Sequence, residues 1–340
     1  MTAPALRDLH RGVNFGFLAR PGYFDSDEAR RQVDRMPDMG VRWVALMVTV
    51  MQDSFASTRL YQDFDLTPTD HEVEKIIDHI HDRGMHVLLK PVIECHDSAH
   101  RARITFPEHD RDIADRETFY WDQWFASLRS SLRHYAGVAQ RSGCELLSLG
   151  SELQGTDEQT RRWATTVRQV REWYDGPLTY QVNEYWRVRN ETHAWLRDLD
   201  LLSFSFYYPA ARSRRTGESV EGMRAVLEPQ VSLLRDLATT YDLAILFNEV
   251  GCRSLAGAAV DPGNYRPEGA YDGDEQARYA EAVLSSFWDE PWWRGMYWWK
   301  WEEQQDRPQY RTDPAGDTGF TVDGKPAADV LRRWYERTDR

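Results

Sequence analysis

Two glutamates stand where strands would end. Glu152 follows Leu146-Leu-Ser-Leu-Gly-Ser, and Glu249 follows Ala244-Ile-Leu-Phe-Asn. A carboxylate placed directly after an apolar strand is costly to bury unless a partner or a role compensates. Two carboxylates about 5–5.5 Å apart are what a double displacement at an anomeric carbon needs, one to protonate the leaving oxygen and the other to attack the carbon. Each glutamate alone also fits a salt bridge at a strand end; the pair in matching positions is what points to chemistry. A negative Glu249 nearby should hold Glu152 protonated.

Other polar and aromatic residues cluster at similar places. Tyr207 or Tyr208 can donate to Glu249 and keep it ionised and aimed. Trp298 and Trp299 close another strand, and because neighbouring side chains on a strand point to opposite faces, one can floor a sugar site while the other joins the core. Lys90, in an apolar strand, needs a sugar hydroxyl or a rim carboxylate, and Asn14 and Asn248 are candidate hydroxyl ligands. Glu94, His96, Asp97, His100 and His109 crowd one loop and invite a metal reading. There is no His-Glu-x-x-His helix and no second cluster to complete a shell, so no metal or cofactor is expected; His96 is instead a candidate substrate contact. A Gly-rich phosphate cradle and a serine nucleophile elbow are likewise missing.

Something must hold these residues at one rim. Short apolar runs alternate with stretches of helical period, the pattern of βα units and a parallel sheet. Eight strands are predicted: Gly12–Phe17, Val41–Val48, Met85–Ile93, Cys144–Ser151, Leu178–Val182, Leu201–Tyr207, Leu243–Asn248 and Gly295–Trp301. Helices are predicted at Asp27–Met39, from Asp70 to a stop at Gly84, and at Thr118–Arg141, Asp157–Tyr174, Val220–Tyr241, Gln276–Trp288 and Ala327–Glu336, with a short connection around Glu191–Arg197. Eight such units close most simply into a single (β/α)8 TIM barrel spanning residues 1–340 as one domain. Four long connections, Met51–Thr69, Glu94–Glu117, Ala210–Ser219 and Cys252–Tyr271, all follow strands and so rise from the C-terminal face, where sites of this fold lie.

The bulk numbers set limits. With 55 acidic against 42 basic side chains the net charge is -13, which repels phosphate backbones and anionic membranes and argues against nucleic acid as a partner. Aromatic residues make up 13% of the chain, with 14 Trp and 16 Tyr, a supply of flat apolar faces suited to sugar rings as well as to the core. Three cysteines, Cys95, Cys144 and Cys252, cannot all pair and match no zinc spacing, which reads as reduced thiols. The first residues lack the layout of a signal peptide and no apolar run reaches the roughly 18 residues of a membrane span, so a cytoplasmic location is expected.

Taken together, Leu89-Lys-Pro, Leu149-Gly-Ser-Glu-Leu, Phe206-Tyr-Tyr-Pro, Phe247-Asn-Glu-Val-Gly and Tyr297-Trp-Trp-Lys-Trp resemble the (β/α)8 retaining glycosidases with glutamates at the ends of strands four and seven. Within that clan the chain is most similar to the glycoside hydrolase family 113 β-mannanases, over nearly its whole length. The resemblance implies a retaining β-glycosidase with Glu152 as acid/base, Glu249 as nucleophile and β-mannosidic oligosaccharides as substrates. Many clan members carry Asn before the acid/base, on the sugar 2-hydroxyl; here that position is Ser151, a small hydroxyl residue of the kind family 113 tolerates. Other readings on the same scaffold are a β-glucosidase-type or other exo-glycosidase, a metal-dependent hydrolase, and a barrel that binds sugar without cleaving it. The last would show the two glutamates splayed or tied up by arginine. A cytoplasmic enzyme would meet imported oligosaccharides, so short substrates are expected to be preferred over polymer.

Overall fold

The computed structural model describes residues 3–106, 119–214, 217–266, 268–301 and 317–338. Its strands are β1 (His10–Phe15), β2 (Trp43–Gln52), β3 (Leu60–Tyr61), β4 (His86–Cys95), β5 (Leu146–Ser151), β6 (Leu178–Val182), β7 (Leu201–Phe206), β8 (Ile245–Val250) and β9 (Trp293–Trp298). All but β3 are parallel neighbours, and β1 pairs with both β2 and β9, which closes eight strands into a barrel. The two-residue β3, inside the long Met51–Thr69 connection, adds antiparallel to the end of β2. The sequence does not predict it, since two residues leave no period to read.

Helices α1 (Pro4–Arg7), α2 (Asp27–Arg35), α3 (Asp70–Asp82), α4 (Phe119–Ser142), α5 (Thr160–Val170), α6 (Val220–Tyr241), α7 (Gly273–Phe287) and α8 (Pro326–Tyr335) account for the predicted helical stretches, with α1 in addition. Boundaries move for local reasons. The helix expected to run to Met39 stops at Arg35 and continues as a 3₁₀ turn over Met36–Met39, because Pro37 has no N–H to offer a helical ladder and Gly40 then takes a left-handed φ of 75°. The connection around Glu191–Arg197 is a 3₁₀ turn, Ala194–Asp198. Thr118 and His109 lie outside the described residues. No described helix is long and apolar enough to cross a membrane.

Strand alternation sorts the core into two layers. On β2, Val44, Leu46 and Val48 face the helices in the large outer core, whereas Trp43 and Ala45 join Leu88, Leu146, Leu201, Leu246 and Tyr297 in a separate inner cluster. Ala5 of α1 completes that cluster. His10 stacks on Trp43 at 3.9 Å and bonds the Tyr297 hydroxyl and the Ala5 carbonyl, so the N-terminal end of the barrel is plugged.

Candidate active site

At the other end of the barrel the inner positions turn polar. Asn14, Lys90, Ser148, Thr179, Gln181, Ser203 and Asn248 are fully buried, and Ser205 nearly so. Above them stand Glu152 and Glu249, 6% and 3% exposed.

Glu152 takes a left-handed φ of 57° immediately after β5, a conformation that costs a non-glycine residue about 1–3 kcal/mol. The turn is held by its own amide, which donates to the Gln181 carbonyl at 2.8 Å. It also needs Gly150, since a Cβ there would stand 2.9 Å from the Tyr180 ring. The carboxylate accepts from Ser205 Oγ at 2.6 Å and from Arg101 Nη2 at 2.8 Å, with His100 Nε2 at 3.4 Å. Behind it runs a directional chain: Ser151 Oγ donates to Gln181 Oε1 at 3.2 Å, and Gln181 Nε2 donates to Ser205 Oγ at 2.6 Å.

Glu249 sits beside an irregularity in β8. Phe204 pairs with Phe247 but Ser205 pairs with Glu249, so Asn248 is the extra residue of a bulge that re-aims its neighbour. Lys90 Nζ donates to Glu249 Oε1 at 2.6 Å and Tyr207 hydroxyl to Oε2 at 3.2 Å. Burial lowers the Lys90 pKa against the pull of Glu249, and burial followed by Glu249 raises that of Tyr207 well above its usual value. Both glutamates act electrostatically on the same three groups, Lys90, Arg101 and Tyr207.

One expectation is reversed. Burial favours a protonated Glu152, but Arg101 first, then His100 and Ser205, bring its carboxyl down to about 2. A cation in direct contact outweighs a neighbouring carboxylate, so the resting Glu152 is ionised rather than held protonated.

The remaining candidates divide. Lys90 meets a rim carboxylate rather than being left open to a sugar hydroxyl. Asn14 is fully buried, donating to the carbonyls of Asn248 and Tyr297 and accepting from Lys90 at 3.3 Å, so its amide is committed to the protein. Asn248 is fully buried too, and neither of its amide atoms has a hydrogen-bond partner among the described residues. Ser151 is 1% exposed and turned to Gln181. Tyr208 packs half-buried against the outer core. Trp298 is core, its indole N–H bonded to the Phe320 carbonyl, whereas Trp299 is half-exposed with its ring 5.0 Å from Phe17. The loop carboxylates and imidazoles take protein partners: Glu94 and His100 join Arg101 and Glu152 in one cluster, whereas His96 pairs with Asp63 at 3.3 Å beneath Tyr61.

Arg101, Gln181 and Ser205 belong to the site without standing out in the sequence. Gln181 and Ser205 carry a signal, since polar residues at alternate positions of strands otherwise apolar must face the barrel interior. Arg101 carries none, as one of several arginines in a loop.

The sequence profile described as Glycoside Hydrolase Family 113 matches residues 13–325. Among solved structures, a family 113 β-1,4-mannanase superposes with a TM-score of 0.84 at 27% identity, covering 97% of this chain and 100% of its own. The family 113 β-mannanase AaManA from Alicyclobacillus acidocaldarius, in complex with ManMIm, gives 0.84 at 32% identity over 97% and 98%. A family 5 mannosidase from Rhizomucor miehei shares the fold, with a TM-score of 0.62 at 11% identity over 96% and 92%. No curated protein sequence matches the chain. The chain belongs to glycoside hydrolase family 113, and it is a retaining glycosidase built on a single (β/α)8 barrel.

Proposed function

We propose that Glu249 is the nucleophile and Glu152 the acid/base of a hydrolase acting on β-mannosidic oligosaccharides. The observation that carries this reading is the bridge between them: Ser205 donates to Glu152 and stands directly opposite Glu249 in the β7–β8 ladder. Glu249 attacks the anomeric carbon as the glycosidic bond breaks, and the leaving oxygen takes a proton from Glu152. The ionised Glu152 then removes a proton from water, which displaces Glu249 and regenerates the sugar with its original anomeric configuration. Lys90 and Tyr207 donate to Glu249 and aim it, and Asn14 fixes Lys90 from below. The half-exposed Trp299 offers an aromatic face to a sugar ring.

The sugar assignment is supported by the relatives described as β-mannanases. Three buried cysteines, none in a disulfide, fit a reducing cytoplasm and hence short, imported substrates. Glu152→Gln tests the acid. It should slow substrates with poor leaving groups by about 10²–10⁴-fold and activated aryl glycosides far less, because only the former need a proton delivered. An equal loss on both contradicts the assignment. Sizing early products tests substrate length: a mono- or disaccharide is expected first, whereas rapid viscosity loss of soluble mannan with long mixed fragments would overturn the preference for short chains.

A further inference from the structure

The Arg101 contact with Glu152 poses a chemical problem. An acid held ionised by a buried guanidinium cannot donate a proton, and protonating it would strip a buried cation of its partner, which is strongly unfavourable. We propose that Glu94 solves this: it shares Arg101 with Glu152, and so is a positioning carboxylate that keeps the guanidinium paired whenever Glu152 takes up its proton. The inference rests on Glu152 being the acid/base.

The geometry is a single fork with three acceptors. Arg101 Nη1 donates to Glu94 Oε1 at 2.7 Å, Nη2 to Glu152 Oε2 at 2.8 Å, and Nε to the Ser151 carbonyl at 3.0 Å. Arg101 cannot swing away cheaply. It opens a 3₁₀ turn, Arg101–Arg103, in which His100 Nδ1 accepts from the Ala102 amide. That turn lies against the Gln154–Thr156 turn just beyond Glu152, so closely that a Cβ on Gly155 would stand 2.1 Å from the Ile104 carbonyl oxygen. The guanidinium and the acid/base turn therefore hold a fixed relation, and the pairing must change by moving a proton rather than a loop.

The charges agree. The groups facing Glu94 and Glu152 are Arg101 and the half-exposed His100 from the loop, Lys90 from β4, Glu249 from β8, and the hydroxyls of Ser205 and Tyr207 from β7 and its end. Three carboxylates thus meet the cationic side chains of Arg101 and Lys90, one carboxylate more than the cations, which leaves room for one proton. Glu94 and Glu152 share Arg101 and so titrate as a pair. Within it burial pushes Glu94 up, against the pull of Arg101, while Glu152 is pulled down, so a proton resting in the cluster is not fixed to the residue that must donate it.

Glu94→Gln separates this from a structural role. It gives Arg101 wholly to Glu152, so the alkaline limb of kcat/KM on a poor leaving group should move about one pH unit lower, with about a fivefold loss at the midpoint of the wild-type limb and about tenfold at pH values well above it. Activated aryl glycosides should lose much less. An unmoved limb, a limb moved higher, or equal losses on both substrates would overturn the proposal. Should the glutamine variant not fold, Glu94→Asp reads the same limb, with a smaller shift in the same direction expected and an unmoved limb contradicting it. If Glu152→Gln shows leaving-group selectivity and the Glu94 variants show no shift, this inference fails alone; if Glu152→Gln shows none, the acid/base assignment fails first.

Discussion

The two ends of the barrel interior are built from the same strands and have opposite characters. Near the N-terminal end the inward residues are Leu88 on β4, Leu146 on β5, Leu201 on β7 and Leu246 on β8, sealed below by His10, Trp43, Tyr297 and α1. Two residues further along each strand stand Lys90, Ser148, Ser203 and Asn248, all fully buried. Leucine at those positions would need no hydrogen bonds, whereas an unsatisfied buried polar group costs about 1–3 kcal/mol, a penalty Asn248 is positioned to incur. The Lys90–Glu249 pair adds desolvation that its attraction need not repay. Inside the barrel, the plugged end contributes apolar packing, and the polar end contributes the groups that hold two carboxylates.

That division can be broken from either side. The largest effect is expected from Trp43→Ala, which removes a ring that is 1% exposed and stacked on His10, and should cost about 3–5 kcal/mol of unfolding free energy. Turnover per folded molecule should stay near wild type; denaturant unfolding and active-site titration of the same sample check both. A loss of turnover on the scale of the stability loss would mean that the two ends are not separable. The smaller effect is Tyr207→Phe, which deletes one hydrogen bond to Glu249 and should lower kcat/KM by roughly ten- to a hundredfold, the worth of a bond to a charged group, with unfolding little changed. A stability loss without a kinetic one would make Tyr207 a packing residue.

Much of the barrel and part of the site are legible in the amino-acid sequence alone. Apolar runs ending in Glu152 and Glu249 announce the strands and the rim, because an apolar wall does not tolerate a carboxylate without reason. Partners are another matter. Lys90 and Asn14 can be recognised as polar residues in apolar strands, but that they meet each other and Glu249 depends on barrel closure across β1, β4 and β8. Arg101 lies 51 residues before Glu152 on a loop without period, so the contact that reverses the charge state of the acid leaves no local trace. The 3₁₀ turn at Ala194–Asp198 and the bulge at Asn248 are hidden for the same reason, since both are set by what packs around them.

The central claim is that Glu249 attacks the sugar, and azide rescue tests it most directly. Glu249→Ala should lower kcat by roughly four orders of magnitude or more, and should cost some stability because buried Lys90 loses its carboxylate, so kcat is referred to the folded fraction. Azide should then enter the space left by the carboxylate, restore turnover of an activated aryl β-glycoside and yield the α-glycosyl azide, identified by NMR of the product. A variant that keeps more than a few per cent of wild-type kcat, or an azide product of β configuration, would contradict the assignment.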